Sequence, residues 1–414
     1  MEPLYQLGIW LYGRLLRLAA AFGHKQAKKW VAGRRQWPQL AAKIPANKRV
    51  VWFHTASAGE FEQGRPLIEH HRRYYPKDFI VVTFFSPSGY ELRKDYAAAD
   101  LICYLPEDRP SEVQRWLEYC KPALAVFIKY EFWFNHYREL KRRNIPLLLV
   151  SAPFRPSQPF FHPLTQGFWR KMLNSVTHFF VQDTASAALL RGIGYQNVSV
   201  CGDTRADRVL ELASEPWIDP LLEAFSRNSQ VLVAGSTWLA DEILIEKALA
   251  TAALHDLKLL IAPHELSAKR NSELLERFGN GTVLYTHTKT KEAGQARVMV
   301  LNTMGMLSRA YRYGQMAYVG GGFGKGIHNT LEAAVYGIPL CFGPKNQKFL
   351  EAQALLREGL AIEVHQPNDL AVALQEWRQA EKQIQLKNKA ARWFATQAGA
   401  TVMVTREMTR LLGG

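Results

Sequence analysis

Residues 317–344 read AYVGGGFGKGIHNTLEAAVYGIPLCFGP. The apolar run at 317–319 predicts a strand, and the glycine-rich stretch after it predicts a loop. Asn329 and Glu332 stand three apart, as N-cap and capping-box acid of a helix over 329–336. Gly337 and Pro339 close that helix, and 340–342 reads as the next strand. Strand, loop, helix and strand in this order are the repeating unit of a parallel α/β sheet. Ligands of such sheets gather beyond the carboxyl ends of the strands. A glycine loop running into a helix N-terminus suits an anion, phosphate above all. No register fits G-x-G-x-x-G, and Gly324-Lys325 precedes Gly326 rather than Ser or Thr, so neither the dinucleotide fingerprint nor Walker A is present. Glu332 either caps its helix or binds ribose hydroxyls; the two roles are compatible.

Working outward, the same rhythm fills the second half of the chain. Strands are expected at 231–234, 258–262, 298–301, 340–342 and 361–364, with helices between them and a long helical stretch at 383–412. Three more loops should open on the same sheet edge: Gly235-Ser236-Thr237, Pro263-His264 and Met304-Gly305. Toward the N-terminus, strands are expected at 50–53, 79–83, 101–105, 123–128, 147–150, 178–181 and 198–201, again alternating with helices. The stretch 202–228 breaks the pattern and carries Pro216 and Pro220. The expected organisation is a helical segment over 1–45, a doubly wound domain over 46–210, and a second over 211–414 whose last helix returns to the first. Two such domains would hold their ligands in the cleft between them.

Three further motifs carry chemistry. In VVWFHTASAGEFEQGR (50–65) small residues follow a strand and Glu60 opens a helix, where the macrodipole favours a carboxylate. A general base must be ionised and within reach of the proton it takes. In IKYEFWFN (128–135) Glu131 also follows a strand, at the same sheet edge. In GDTRADR (202–208) Arg205 would face the cleft from the hinge and hold a phosphate or developing negative charge. No H-x-x-x-H and no paired aspartates suggest a metal. The four cysteines, at 103, 120, 201 and 341, form no C-x-x-C pair and read as reduced and buried.

The chain has 414 residues and a formal net charge of +15, with 48 % hydrophobic residues, which excludes disorder as the main state. Residues 1–43 hold eight basic residues and a single acid, Glu2. They open with PLYQLGIWLYGRLLRLAAAF, interrupted by Arg14 and Arg17, which argues against a span. On a helical wheel Gln6, Gly13, Arg14 and Arg17 share one narrow face and apolar residues fill most of the rest. Such a helix lies in a membrane interface with its arginines toward phosphate head groups.

HTASAGE, EFW, GDTRAD, APHE, NTMG and the glycine-rich stretch together resemble the 3-deoxy-D-manno-octulosonic acid (Kdo) transferases of lipopolysaccharide assembly, from about residue 1 to 410. The resemblance implies two Rossmann-like domains of the GT-B type and an inverting transfer of Kdo from CMP-Kdo to a lipid A precursor, with no cofactor. It implies a catalytic base at Glu60, a supporting acid at Glu131 and a cation at Arg205, where lysine is commoner. It places CMP against Pro263, His264, Met304, Gly305, Met306, Asn329, Thr330, Leu331 and Glu332. Met306 stands where many members carry an acid, and Lys129 replaces an acid before the strand-end glutamate. The implied location is the cytoplasmic side of the inner membrane, reached through the N-terminal segment. Two other readings fit the residues less well: a GT-B enzyme using a UDP-sugar, and a basic protein that binds nucleic acid. The chain lacks the interleaved basic and aromatic residues of a nucleic-acid module, so nucleic acid is not an expected partner.

Overall fold

The computed structural model describes every residue except Tyr130, Lys325 and Gly414, with Ala252 described by its backbone alone. The chain forms two compact units: Met1–Asp207 with Gln397–Gly414, and Arg208–Thr396.

The first unit is built on seven strands: β1 Val50–Thr55, β2 Phe79–Phe84, β3 Leu101–Tyr104, β4 Leu124–Ile128, β5 Leu147–Ala152, β6 His178–Val181 and β7 Val198–Val200. They lie in the order β3-β2-β1-β4-β5-β6-β7, all parallel. Alternate side chains of β1 enter different cores. Val50 and Trp52 join one with Trp37, Trp116 and Phe127; Val51 and Phe53 join the other with Phe61, Phe180 and Val404. Burial on both faces is why these strands read as unbroken apolar runs rather than alternating ones. Each such side chain, fully buried, contributes about 1.5–3 kcal/mol. The chain runs outward from β1 to β3, then crosses back to place β4 on the other side of β1. That reversal opens a crevice at the carboxyl ends of β1 and β4.

Two helices precede β1: α1, Glu2–Ala21, and α2, Lys25–Ala41. In α2 the buried residues Ala27, Trp30, Arg34, Trp37 and Ala41 recur at helical spacing. In α1 the pattern is inverted. Gly13 is its only buried residue, while Leu4, Leu7, Trp10, Leu11, Leu15 and Leu18 are exposed. The polar face turns toward the protein instead: Gln6 bonds Asn135, Tyr5 donates to the buried Asp108, and Arg17 pairs with Glu107. Arg17 is thus spent on the protein rather than on head groups, because the half-buried carboxylate of Glu107 lies beneath it. No helix among the described residues is long and apolar enough to cross a membrane.

The second unit repeats the plan with β8 Val231–Thr237, β9 Lys258–Pro263, β10 Thr282–Leu284, β11 Val298–Val300, β12 Met316–Val319, β13 Leu340–Phe342 and β14 Ala361–Glu363. The order is β10-β11-β9-β8-β12-β13-β14, again parallel, with the reversal between β8 and β12. β10 is an edge strand of three half-buried residues and was not expected. The expected helix over 329–336 is one turn only, Leu331–Ala334. The expected final stretch divides into Ala380–Gln397 and Ala400–Leu411. Gly399, at φ +100°, breaks it.

Candidate active site

Each reversal point gathers a cluster of functional groups. In the first unit, β1 ends at Thr55 and Ser57 caps α3, Ala58–Tyr74. Glu60 stands in the first turn, half-buried, and Ser57 Oγ donates to its Oε2. Gly64, one turn on, packs so close to Ile128 that an added Cβ would fall 3.2 Å from its side chain. The glycine therefore seats the start of α3 directly against β4.

Glu131 follows β4 and is buried. Its Oε2 accepts from His54 Nε2 at 2.7 Å and from Trp133 Nε1 at 2.8 Å. Oε1 has no partner among the described residues. His54 is fully buried in β1, and its Nδ1 meets Thr83 Oγ1 at 2.8 Å; Trp52 Nε1 donates to the same hydroxyl across 2.8 Å. Two strands thus hold one carboxylate through an imidazole, with one oxygen left open. Tyr137 donates to the Glu131 carbonyl at 2.9 Å and fixes the backbone too. His54 and Trp133 fall inside the HTASAGE and EFW motifs, but neither takes a role from the sequence alone; the further local signal is a polar ring next to the last residue of a wholly buried strand.

Arg205 lies in the first unit. Its Nη2 donates to Asp203 Oδ2 at 2.6 Å, an oxygen that also accepts from Gln63 and Gln182. Burial opposes ionisation of Asp203, but the Arg205 guanidinium outweighs it and holds the carboxyl below its ordinary range.

In the second unit the glycine loop after β12 crosses the end of β8. A Cβ on Gly320 would fall 2.4 Å from the Ser236 carbonyl oxygen, and one on Gly322 would fall 2.5 Å from the Gly343 backbone. Only glycine permits this approach. Buried Asp241 fastens the loop, accepting from Gly321 N at 2.9 Å, Trp238 N at 2.9 Å and Tyr318 Oη at 2.8 Å. Its burial raises the carboxyl's pKa against the pull of those donors. Beside the loop three rings stack: Trp238 on His264 at 4.4 Å and His264 on His328 at 4.5 Å. Burial, reinforced by His264, pushes the His328 imidazole down to about 4, and burial lowers His264 as well. Trp238, Asp241 and His328 were not foreseen, since apart from the local Trp238–Asp241 bond their contacts join distant segments.

The other sequence candidates fall around this edge. Pro263 is buried at the end of β9 and His264 is exposed after it. Met304 is 78 % exposed and Gly305 takes φ +85°. Met306 Sδ accepts from Thr303 Oγ1 at 3.0 Å. Asn329 Oδ1 accepts from Leu331 N at 3.2 Å, and its Nδ2 donates to Glu332 Oε1 at 3.0 Å. Thr330 and Leu331 are buried, Thr330 Oγ1 without a partner among the described residues. One helical turn carries little macrodipole, so anion binding here rests on loop backbone more than on the helix. Lys325 lies outside the described residues. Among those residues no group of three His, Cys, Asp or Glu would hold a metal ion.

Residues 29–208 match the family described as 3-Deoxy-D-manno-octulosonic-acid transferase (kdotransferase). A 3-deoxy-D-manno-octulosonic acid transferase of Aquifex aeolicus is 26 % identical over 352 residues, 83 % of this chain and 90 % of that one. One of Haemophilus influenzae is 25 % identical over 316 residues, 74 % of each. Among solved structures, a UDP-GlcNAc 2-epimerase of Neisseria meningitidis superposes with a TM-score of 0.59 at 14 % identity, covering 88 % of this chain and all of that one. The last likeness concerns the fold: two doubly wound α/β units of the GT-B type.

Proposed function

This chain belongs with the Kdo transferases, a group of glycosyltransferases, and from that premise we propose that it moves Kdo from CMP-Kdo to a lipid A precursor of the lipid IVA type. The observation that carries the reading is the pair Glu60 and Glu131 at the ends of β1 and β4, where the first sheet reverses. Glu60 takes the proton of the acceptor hydroxyl, the oxygen attacks the anomeric carbon, and CMP departs with the bonding electrons. Glu131, pinned through Oε2, presents Oε1 to the positive charge that develops on the sugar. CMP rests on the second unit's glycine loop, against Pro263, His264, Met304, Gly305, Met306 and residues 329–332. Met306 brings no charge to the nucleotide. Arg205, ion-paired with Asp203, faces the anionic reactants as a guanidinium–carboxylate pair rather than as a free cation. The exposed apolar face of α1 lies on the cytoplasmic face of the inner membrane, where the lipid acceptor resides.

The test is incubation with CMP-Kdo and a tetraacylated lipid A precursor, followed by mass spectrometry of the lipid. A mass gain of one or more Kdo residues, with CMP release dependent on the lipid, is expected. Displacement of the donor by UDP rather than CMP would transfer the reading to a UDP-sugar enzyme. DNA binding without any transfer would refute both.

A further inference from the structure

Between α1, α2 and the helix Pro110–Cys120, the first unit encloses a cavity of about 270 Å³ that the proposed transfer does not use. Arg17, Arg34, Arg35, Arg109 and Arg115 line it, against two glutamates, Glu107 and Glu112. Arg17 is neutralised by Glu107. Arg35, Arg109 and Arg115 form no ion pair among the described residues.

Arg34 is the unusual member. It is 7 % exposed, with its guanidinium 4.0 Å from the Trp30 ring and 4.7 Å from the Phe85 ring. Nη2 donates to the Phe85 carbonyl at 3.1 Å, but Nε and Nη1 are buried without any partner among the described residues. Buried donors of a charged group are seldom left unpaired, because water has been removed and nothing replaces it. That burial pulls the guanidinium pKa down to about 9, so it still carries its charge at neutral pH. Glu107 Oε2 is likewise buried and unpartnered.

A ligand that fits this cavity brings several acceptors for the arginines and one donor for Glu107 Oε2. A phosphate monoester beside a hydroxyl meets both needs, and the planar guanidinium fork matches phosphate geometry. We infer that this cavity binds a phosphate monoester carried on a lipid head group, either the glycolipid acceptor's own phosphate or that of a membrane phospholipid. The lipid character follows from α1, which lines the cavity with Arg17 and exposes leucines and Trp10 on its outer face. A head group in the cavity can keep its chains along that face. Only the glycolipid arm rests on the transferase reading above.

The test uses the full chain, wild type and Arg35→Gln/Arg109→Gln, which leaves the buried Arg34 in place. One arm compares binding to phosphatidylcholine vesicles containing phosphatidic acid, a monoester, with binding to vesicles of equal charge containing phosphatidylglycerol, a diester. The other compares KM for a bisphosphorylated tetraacyl disaccharide and its monophosphorylated form. Wild type should favour the monoester vesicle, the bisphosphorylated acceptor, or both, by about tenfold. The double glutamine variant should lose that preference, and Arg35→Lys/Arg109→Lys should regain part of it. Loss confined to the vesicle arm identifies a phospholipid, and loss in the KM arm identifies the acceptor. A variant that keeps every preference of the wild type, or a wild type with none, overturns the proposal. A chain that transfers no Kdo silences the KM arm alone, so the vesicle arm still judges the cavity.

Discussion

The two sheets reverse at equivalent places and furnish those places in opposite ways. At the end of β1 and β4 the groups are carboxylates, held by side chains: Ser57 to Glu60, and His54 with Trp133 to Glu131. At the end of β8 and β12 the furnishing is backbone and rings, with Gly320 pressed on Ser236 and three aromatic side chains stacked beside it. Proton transfer needs a base of fixed position, which only an ionisable side chain supplies. Holding a bulky nucleotide needs close approach and flat surfaces, which glycine and neutral rings supply. On the function proposed above, one fold would serve two tasks by changing what stands at the strand ends.

The largest expected effect breaks the first place without touching the second. Glu60→Gln should lower kcat by about 10³-fold in the Kdo transfer assay, while CMP-Kdo affinity by calorimetry stays close to wild type. Near-normal turnover would remove Glu60 from the role of base. The next breaks the second place. Gly320→Ala puts a methyl into the Ser236 carbonyl, and thermal unfolding should show a loss of about 2–4 kcal/mol. His54→Gln is smaller. It keeps one hydrogen-bond donor but not the imidazole's span from Thr83 to Glu131, and kcat should fall about tenfold with an altered pH profile and little change in KM. A purely structural His54 would lower stability and leave the pH profile in place.

The smallest effect concerns acid. His328 titrates near 4 in the folded chain against about 6.5 when unfolded, so the unfolded chain binds the extra proton first. Stability from this ring is complete above about pH 6.5 and is lost as the pH falls toward 4. The loss should be on the order of 1 kcal/mol after allowance for partial exposure. His328→Gln should flatten urea-unfolding stability across that window, and an unchanged pH slope would contradict the assignment.

Most of the sheet framework was legible because its strands are buried on both faces and show as compact β-branched runs. β10 was not, since Thr282–Leu284 is a short, half-buried edge. Glu60 and Glu131 were legible as acids that follow strands. Their supports were not, because the His54–Glu131 bond joins residues 77 apart and the Trp238–His328 bond residues 90 apart. Local pattern carries no record of such pairings. The wheel of α1 separated the right faces but could not say which one the protein would cover, since Asp108 and Glu107 lie far along the chain.

The chain leaves the first unit after Asp207 and comes back at Gln397. On return, Ala400, Val404 and Met408 complete a core begun by Val51 and Phe53. During synthesis that face must wait, its hydrophobic side open, while the ribosome makes the whole of the second unit. The second unit has no such delay and can close on its own residues. A stop codon near 397 would therefore leave the earlier-made half unfinished and the later-made half intact, an unusual polarity for a nascent protein and for its chaperones.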